Sequence, residues 1–268
     1  MNNQKRKPDV KIVCIIQARM DSSRLPGKVL KEICGYPMLD WVVHRAKNAA
    51  YISTVLVATT LEHNDDAIAK WCQDNAVPCY RGAAQDVLDR FYRAAKTEKA
   101  DVIVRLTADC PLIDPHLIDD VIDLFFAEKA DFAANRLPPP FSRTFPIGLD
   151  VEVVSFSALE KAWHAATKQF EREHVLPYLY AEDGRFHISV LDAEKDFGAL
   201  RWTVDTPADL KFLCTLMERL KCNREISWLS ILDHIQTHPE LMEINADVVH
   251  KSFTDIDQRA NQTKDNDE

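Results

Sequence analysis

VKIVCIIQARMDSSRLPGKVLK (10–31) joins a mostly apolar run to a loop that carries two arginines and two lysines. The run at 10–16 predicts a strand buried on both faces, as strands of parallel sheets are. The basic loop follows directly, in a chain whose net charge is −9. A loop between a strand and a helix favours anion binding, because backbone N–H groups and the helix dipole attract negative charge. Taken alone, the loop is explained equally well as a solvated basic turn.

Strand and helix patterns alternate along the first half of the chain. The predicted strands lie at 10–16, 53–60, 77–82 and 101–109, and the helices begin near 37, 64, 86 and 116. Repeated strand–helix units imply right-handed crossovers and a mostly parallel sheet covered on both faces. We therefore predict a doubly wound α/β fold. Ligands of such folds bind beyond the carboxyl ends of the strands, where the basic loop and the turn after 101–109 lie.

The pattern changes after about residue 131. A proline-rich stretch there precedes an alternating strand at 149–156, helices at 157–167 and 171–183, and a strand at 186–194. We interpret about 135–195 as an inserted strand-and-helix segment, and ALRWTVD (199–205) as a return to the main sheet. About 207–250 is predicted to be a helical C-terminal extension of a single domain spanning 1–250. The polar residues 251–268 lack periodicity and are predicted to be a disordered tail.

Composition narrows the classes of partner and compartment. The sequence pI near 5.5 argues against a nucleic-acid partner, since nucleic-acid binders usually present a basic face. No apolar stretch approaches the roughly 18–20 residues that span a bilayer, and the N-terminus has no apolar signal core. We therefore expect a cytoplasmic protein without membrane contact. Seven cysteines, an odd number with no CxxC pair, predict reduced thiols.

The basic loop matches neither common phosphate-binding signature. GxxxxGK[ST] and GxGxxG are both absent, which removes the evidence for a P-loop ATPase or a dinucleotide-dependent dehydrogenase. What remains is a pair of cations, Arg19 and Lys28, with hydroxyls between them and a turn at Pro26-Gly27. Two cations on opposite sides of such a turn suit an extended polyphosphate.

Several motifs, in order, resemble the CMP-sugar synthetases, the acylneuraminate cytidylyltransferase family. The likeness is greatest to the subgroup named for spore-coat polysaccharide synthesis. The motifs are QARMDSSRLPGKVLKEICGYPML, RGAAQDVLDRFYRAA, VRLTADCPLIDPHLID, GLDVEVVSFSALEKA, EREHVLPYL, LRWTVDTPADL and HPELMEIN. The resemblance spans about 10–250 and implies a Rossmann-like, GT-A-like nucleotidyltransferase fold. It implies transfer of CMP from CTP to a sugar acid or related acceptor, with release of pyrophosphate, in cell-surface polysaccharide or glycoconjugate biosynthesis.

The resemblance also implies catalytic residues. Arg19 and Lys28 would hold the triphosphate, and Asp109 and Asp205 would hold Mg²⁺, the expected cofactor. Mg²⁺ takes one or two protein carboxylates together with phosphate oxygens, which suits two aspartates at strand ends. Each aspartate also has an ordinary interpretation as a turn or helix cap. Asp209, one helical turn beyond Asp205, is either a second ligand or part of a solvated helix face.

The remaining site residues follow from the same motifs. The residues implied for nucleotide binding are Gln17, Ala18, Arg19, Ser22, Arg24, Lys28, Arg81, Asp86, Asp89 and Arg90. The residues implied for acceptor binding are Gly148, Asp150, Glu152, Arg172 and His174. A plain helix start near 86 and a solvent-facing strand near 150 are the alternatives. The sequence departs from sialate-type members at Ser23 and Val29, which argues against a sialic-acid acceptor but leaves the nucleotide-binding residues in place.

Three other functions compete with this interpretation. One is a nucleotidyltransferase that uses another nucleoside triphosphate with a sugar phosphate. Another is a nucleotide-sugar glycosyltransferase, although DxD triplets occur only at 255–257 and 265–267. The third is a catalytically silent interaction protein of the same fold. The apolar strands of the insert motivate a further hypothesis, a homodimer formed through 135–190.

Overall fold

The computed structural model describes residues 10–137 and 143–249. Its strands are β1 (Ile12–Gln17), β2 (Glu32–Ile33), β3 (Tyr36–Pro37), β4 (Thr54–Thr60), β5 (Cys79–Gly82), β6 (Val102–Thr107), β7 (Phe132–Ala134), β8 (Glu152–Ser155) and β9 (Ile188–Val190). Seven of these described strands form one sheet in the order β5-β4-β1-β6-β8-β7-β9, and β2 pairs with β3 in a separate hairpin. Within the seven-stranded sheet, pairing is parallel except where β8 meets β6 and β7. The predicted doubly wound, mostly parallel α/β fold is confirmed.

Helices cover both faces of the sheet. They are α1 (Met38–Lys47), α2 (Asp66–Asp74), α3 (Val87–Thr97), α4 (Pro115–Ala127), α5 (Phe156–Ala165), α6 (Gln169–Glu173), α7 (Pro177–Tyr180), α8 (Pro207–Arg219) and α9 (Trp228–Thr237). Short 3₁₀ segments occur at Lys28–Leu30, His63–Asp65 and Pro239–Asn245. Residues of β1 alternate between two core layers. Ile12, Cys14 and Ile16 pack on the layer that contains α1, α4 and α8, and Val13 and Ile15 pack on the layer that contains α3 and α5.

The structure corrects three details of the second half. Residues 199–205 do not return to the main sheet as predicted. They form one isolated bridge, between Arg201 and Ile147, and Ile147 itself lies outside the named strands. The predicted helix at 171–183 is two short helices, because Val175 has a left-handed φ of 75° and Pro177 starts a new one. The strand predicted at 186–194 is reduced to the three residues of β9.

The prediction that the cysteines are reduced is wrong for one pair. Cys34, in the turn between β2 and β3, forms a disulfide with Cys222, which lies just after α8. Both residues have left-handed φ, 52° and 53°, so two tight turns bring their Cα atoms to 5.9 Å. The pair is 188 residues apart in sequence, which is why no spacing motif announces it. The other five cysteines are free thiols.

Two further expectations concern the ends of the chain and membranes. The predicted disordered tail, 251–268, and its two acidic triplets lie outside the described residues. Among the helices that are described, none combines the length and the apolar character that crossing a bilayer requires.

Candidate active site

The basic loop leaves the carboxyl end of β1 and folds back on itself. The backbone N–H of Gly27 donates to Met20 O at 2.9 Å, and the N–H of Met20 donates to Asp65 Oδ1 at 2.7 Å. Gly27 has φ 67°, a conformation that is costly for residues with a side chain. The chain then enters the 3₁₀ segment Lys28–Leu30, which turns Lys28 inward until it is only 8% exposed. The Pro-Gly turn therefore aims one lysine at the strand ends.

Lys28 bridges the two aspartates that the sequence singled out. Its Nζ donates to Asp109 Oδ2 at 2.8 Å, to Asp205 Oδ1 at 2.9 Å and to Val204 O at 2.9 Å. Burial alone would lower the pKa of this ammonium group, but the two carboxylates outweigh burial and raise the pKa above its usual value. Lys28 is therefore a protonated group that holds two separate loops together.

Asp205 is surrounded by cations. Arg24 Nη2 lies 3.1 Å from Asp205 Oδ2, and Arg201 Nη2 donates to the same oxygen at 2.7 Å. Burial opposes ionisation of Asp205, but Lys28, Arg201 and Arg24 outweigh it and hold the pKa of the carboxyl far below its usual range. Asp109 has fewer partners and accepts a hydrogen bond from Thr107 Oγ1 at 2.5 Å as well as from Lys28. The two carboxylates thus converge on one cationic centre.

A second cluster lies beside the first, where β6 pairs with β8. Arg105 forms an ion pair with Glu152. Arg136 contacts both carboxylates: its Nη2 lies 3.7 Å from Glu152 Oε1, and its Nε lies 3.3 Å from Asp150 Oδ2. Arg143 makes a two-pronged pair with Asp150, including an Nη2 to Oδ2 bond of 3.1 Å. Three guanidinium groups therefore face two carboxylates, which leaves an excess of one positive charge.

The two clusters lie side by side at the carboxyl ends of β1 and β6. Their cations and carboxylates suit a nucleoside triphosphate and a second, anionic substrate. A family model described as Cytidylyltransferase matches residues 13–243. The chain belongs to the cytidylyltransferase family. It is therefore a CTP-dependent nucleotidyltransferase, as the resemblance implied.

Individual relatives agree with the family. The spore coat polysaccharide biosynthesis protein SpsF of Bacillus subtilis is 30% identical over 236 residues, 85% of this chain and 95% of that protein. The 3-deoxy-manno-octulosonate cytidylyltransferase of Geobacter metallireducens is 38% identical over 121 residues, 45% of this chain and 47% of that protein. A solved cytidylyltransferase from Leptospira borgpetersenii has a TM-score of 0.82 at 34% identity, and covers 90% of this chain and 100% of its own.

The residues predicted for nucleotide binding do not all lie together in this cytidylyltransferase: some lie near Arg105 and Arg19, whereas Arg81 points away from them. Gln17 ends β1 and accepts from Arg105 Nη2 at 3.1 Å. Burial, and then the charge of nearby Arg19, lower the pKa of Arg90 to about 10. Arg81 points elsewhere: its guanidinium donates to Thr60 O at 2.8 Å and pairs with Asp66 at 2.7 Å. Arg81 therefore joins the end of β4 to α2.

Asp86 and Asp89 lie at the start of α3 and connect it to the inserted segment. Asp86 caps α3 and accepts from Arg172 Nε at 2.8 Å, while Arg172 Nη1 also donates to Trp163 O at 3.0 Å. Asp89 accepts from Trp163 Nε1 at 2.8 Å. These side chains form a seam between α3, α5 and α6. The sequence assigned Asp86 and Arg172 to different substrates, and the structure pairs them with each other.

The other predicted acceptor residues lie near the Arg105–Glu152 cluster. Burial, followed by the charges of Arg105 and Arg136, lowers the pKa of His174 to about 4. Gly148 has φ 108°, and a Cβ there would lie 2.6 Å from Thr203 N. Only glycine allows its segment to lie this close to the chain that leads to Asp205.

The alternative interpretations of Asp205 as a helix cap and of Asp209 as part of a solvated helix face are also decided. Thr206, not Asp205, is the N-cap of α8, so the cap interpretation of Asp205 is wrong. Asp209 is fully buried and completes the capping box with Thr206, so it is not on a solvated helix face. Ser22 and Arg24 lie in the basic loop, and the N–H of Ala18 donates to Ala58 O at 3.1 Å.

Sequence reasoning missed the arginines that organise both clusters. Arg105 and Arg201 lie inside motifs that were recognised, VRLTADCPLIDPHLID and LRWTVDTPADL, and their spacing from the aspartates was the available signal. Arg136 and Arg143 flank a proline-rich stretch that offers no periodicity. Asn245, at the end of HPELMEIN, gave no signal at all beyond its place in a motif.

Proposed function

We propose that this cytidylyltransferase transfers CMP from CTP to an anionic, sugar-acid acceptor for a cell-surface polysaccharide or glycoconjugate. The observation that carries the proposal is the bridge of Lys28 to Asp109 and Asp205, with the cluster of Arg105, Arg136, Arg143, Asp150 and Glu152 beside it. The excess positive charge of that cluster favours an acceptor with a carboxylate or similar anion. The relatives named for octulosonate cytidylyl transfer and for spore-coat polysaccharide synthesis support the same class.

In this reaction an oxygen of the acceptor attacks the α-phosphorus of CTP in line with the departing pyrophosphate. A new O–P bond joins the acceptor to CMP, the bond from the α-phosphorus to the oxygen that leaves with pyrophosphate breaks, and the proton of the acceptor hydroxyl is released to solvent. Arg19, Arg24 and Lys28 would neutralise the charge that develops on the leaving oxygens. The acceptor would be oriented by the Arg105–Glu152 cluster and His174.

Asp109 and Asp205 are the residues that would hold a magnesium ion. The two carboxylates lie close enough together to share Lys28 Nζ, at 2.8 and 2.9 Å, and carboxylates are the ligands Mg²⁺ prefers. Within the described residues no group of three or more histidine, cysteine, aspartate or glutamate side chains is placed to hold a metal. Two protein carboxylates are nevertheless enough when phosphates complete the coordination. Mg²⁺ bound there would supply charge neutralisation on the phosphate oxygens.

The domain and the oligomer complete the proposal. Residues 1–250 would act as one nucleotidyltransferase domain, and a homodimer would form through 135–190, in the cytoplasm. The dimer is motivated by β9, which lies at an edge of the sheet and leaves Val190 37% exposed. A monomeric mass in sedimentation equilibrium would exclude the dimer without affecting the chemistry.

The function is tested by ligand-dependent melting. CTP, UTP, GTP and ATP are added separately, with and without Mg²⁺, and a ligand at 100 times its Kd should add about 2.7 kcal/mol of stability. We expect CTP, and none of the other three nucleotides, to stabilise the protein. The stabilisation by CTP should be larger in the presence of Mg²⁺. Pyrophosphate release with a panel of sugar acids and neutral sugars then tests the acceptor. Stabilisation by a different nucleotide, or turnover only with neutral acceptors, would contradict the proposal.

A further inference from the structure

Asn245 ends the C-terminal 3₁₀ segment and reaches back toward the aspartates from far along the chain. It is only 7% exposed, and its Nδ2 donates to Asp209 Oδ1 at 3.0 Å and to Arg201 O at 3.2 Å. A buried amide that makes two bonds to one cluster stabilises a particular geometry, since its loss would remove a donor from Arg201 O and one of the donors to Asp209 Oδ1.

Asp209 is the meeting point of the cluster. Its Oδ1 accepts from Asn245 and from Arg201 Nε at 2.9 Å. Its Oδ2 accepts from Arg201 Nη2 at 3.1 Å, from the N–H of Asp205 at 3.0 Å and from Thr206. Asp209 therefore holds both the backbone of Asp205 and the arginine that contacts its side chain.

The chain of contacts ends on the aspartate that faces the nucleotide site. Arg201 Nη2 donates to Asp205 Oδ2 at 2.7 Å, and Asp205 Oδ1 accepts from Lys28. Both oxygens of Asp205 therefore have cationic partners. Oδ1 faces Lys28, and Oδ2 accepts from Arg201, the last member of this relay, and also lies beside Arg24 of the basic loop. A change at Asp209 would reach Asp205 by two routes, through its N–H and through Arg201.

We infer that Asn245 is a positioning residue: it orients Asp205 through Asp209 and Arg201, which makes the C-terminal extension a part of the active site. The inference rests on the proposed function, in which Asp205 faces the nucleotide and its metal. Attachment of the extension itself has other sources, such as Leu241, which is 1% exposed and packs in the core. The amide of Asn245 is therefore separable from the packing that keeps the segment in place.

The test replaces the amide while keeping the buried volume. Asn245→Leu removes both donors at similar size, and Asn245→Ala is made alongside it. Met242→Ala, in the same 3₁₀ segment but 39% exposed, is the matched control. For each protein we measure the melting temperature, the affinity for CTP by calorimetry with and without Mg²⁺, and kcat and KM for CTP in pyrophosphate release.

Loss of residues that orient a metal ligand typically costs about 10–100-fold in metal affinity or activity. We expect both Asn245 variants to lose that factor in kcat and in the Mg²⁺-dependent gain in CTP affinity, well below their melting temperatures. Affinity for CTP without Mg²⁺ should change by less than about twofold, and the control should match the wild type. In an Asp209→Ala background the Asn245 substitution should have a smaller effect than in the wild type, because only the bond from Asn245 to Arg201 O remains to be lost.

The outcomes separate the inference from the function. Asn245 variants that melt earlier yet keep wild-type kcat and Mg²⁺-dependent affinity would overturn the positioning role and leave the proposed function intact. Equal losses in Met242→Ala would overturn it too, since the effect would then belong to the segment and not to the amide. A wild type that binds no CTP under either condition would overturn the proposed function and the inference together. If Asn245→Leu does not fold, Asn245→Ala is judged by the same criteria.

Discussion

Lys28→Met removes the ammonium group that joins Asp109 to Asp205 and keeps most of the apolar stem. Lys28 is 8% exposed, and its three donated bonds of 2.8–2.9 Å end on two carboxylates and one carbonyl. Loss of one partner from a buried ion pair costs about 3–5 kcal/mol. Asp205 keeps Arg24 and Arg201, so we expect a loss of stability below that range. The pKa of Asp205 should rise, because Lys28 is the largest influence that lowers it.

The effect on catalysis should be larger than the effect on folding. Removal of one donor that stabilises a transition-state oxyanion costs about 10²–10³ in kcat, or about 2.7–4 kcal/mol. Steady-state pyrophosphate release gives kcat and KM for CTP, and urea unfolding at pH 7 gives the stability. Lys31→Met is the matched control, because it makes the same charge change in the same loop, away from the atoms bonded to the two aspartates.

We expect Lys31→Met to keep kcat within about threefold of the wild type. A folded Lys28→Met protein with near-normal kcat would refute the role of Lys28 at the nucleotide. Equal losses in both variants would show that the loop acts through its overall charge and not through the bridge.

Three other predictions follow from the clusters and the disulfide. The pKa of His174 is about 4 in the folded protein and about 6.5 in the unfolded chain, so the unfolded state takes up the proton first as the pH falls. Between pH 7 and pH 5 the wild type should therefore lose about 2 kcal/mol more free energy of unfolding than His174→Gln. Urea unfolding at a series of pH values checks this, and parallel curves for the two proteins would contradict it. Cys34→Ser should lose about 5 kcal/mol of the free energy of unfolding, the entropy cost that the bond to Cys222 removes from folding. A reductant should destabilise the wild type and leave Cys34→Ser unchanged. A wild type whose stability is the same with and without reductant would show that the bond contributes nothing. Arg136→Met should raise KM for the acceptor about tenfold or more and leave KM for CTP unchanged, measured with saturating co-substrate; a rise in KM for CTP instead would move Arg136 to the nucleotide.

Much of the fold was predictable because it depends on patterns of residues that are close in sequence. The apolar run of β1, the Pro-Gly turn and the alternation through α4 each depend on residues close in sequence, where periodicity and turn chemistry act. They correctly placed the basic loop and Asp109 at the ends of neighbouring strands. The errors fall where the patterns are short, as in the segment before Asp205, which makes isolated contacts between loops instead of a strand.

By itself the sequence determined the α/β class and the family, because both depend on residue types in short motifs, and it predicted which cations and carboxylates the site would use. Only the tertiary structure decided which of them meet. Lys28 and Asp205 are 177 residues apart, and Asn245 and Arg201 are 44 apart. The Cys34–Cys222 bond, the Arg136 pairs and the Asn245 relay are contacts of this long-range kind. Their geometry depends on how the whole sheet and its helices pack, which no local pattern of residues encodes.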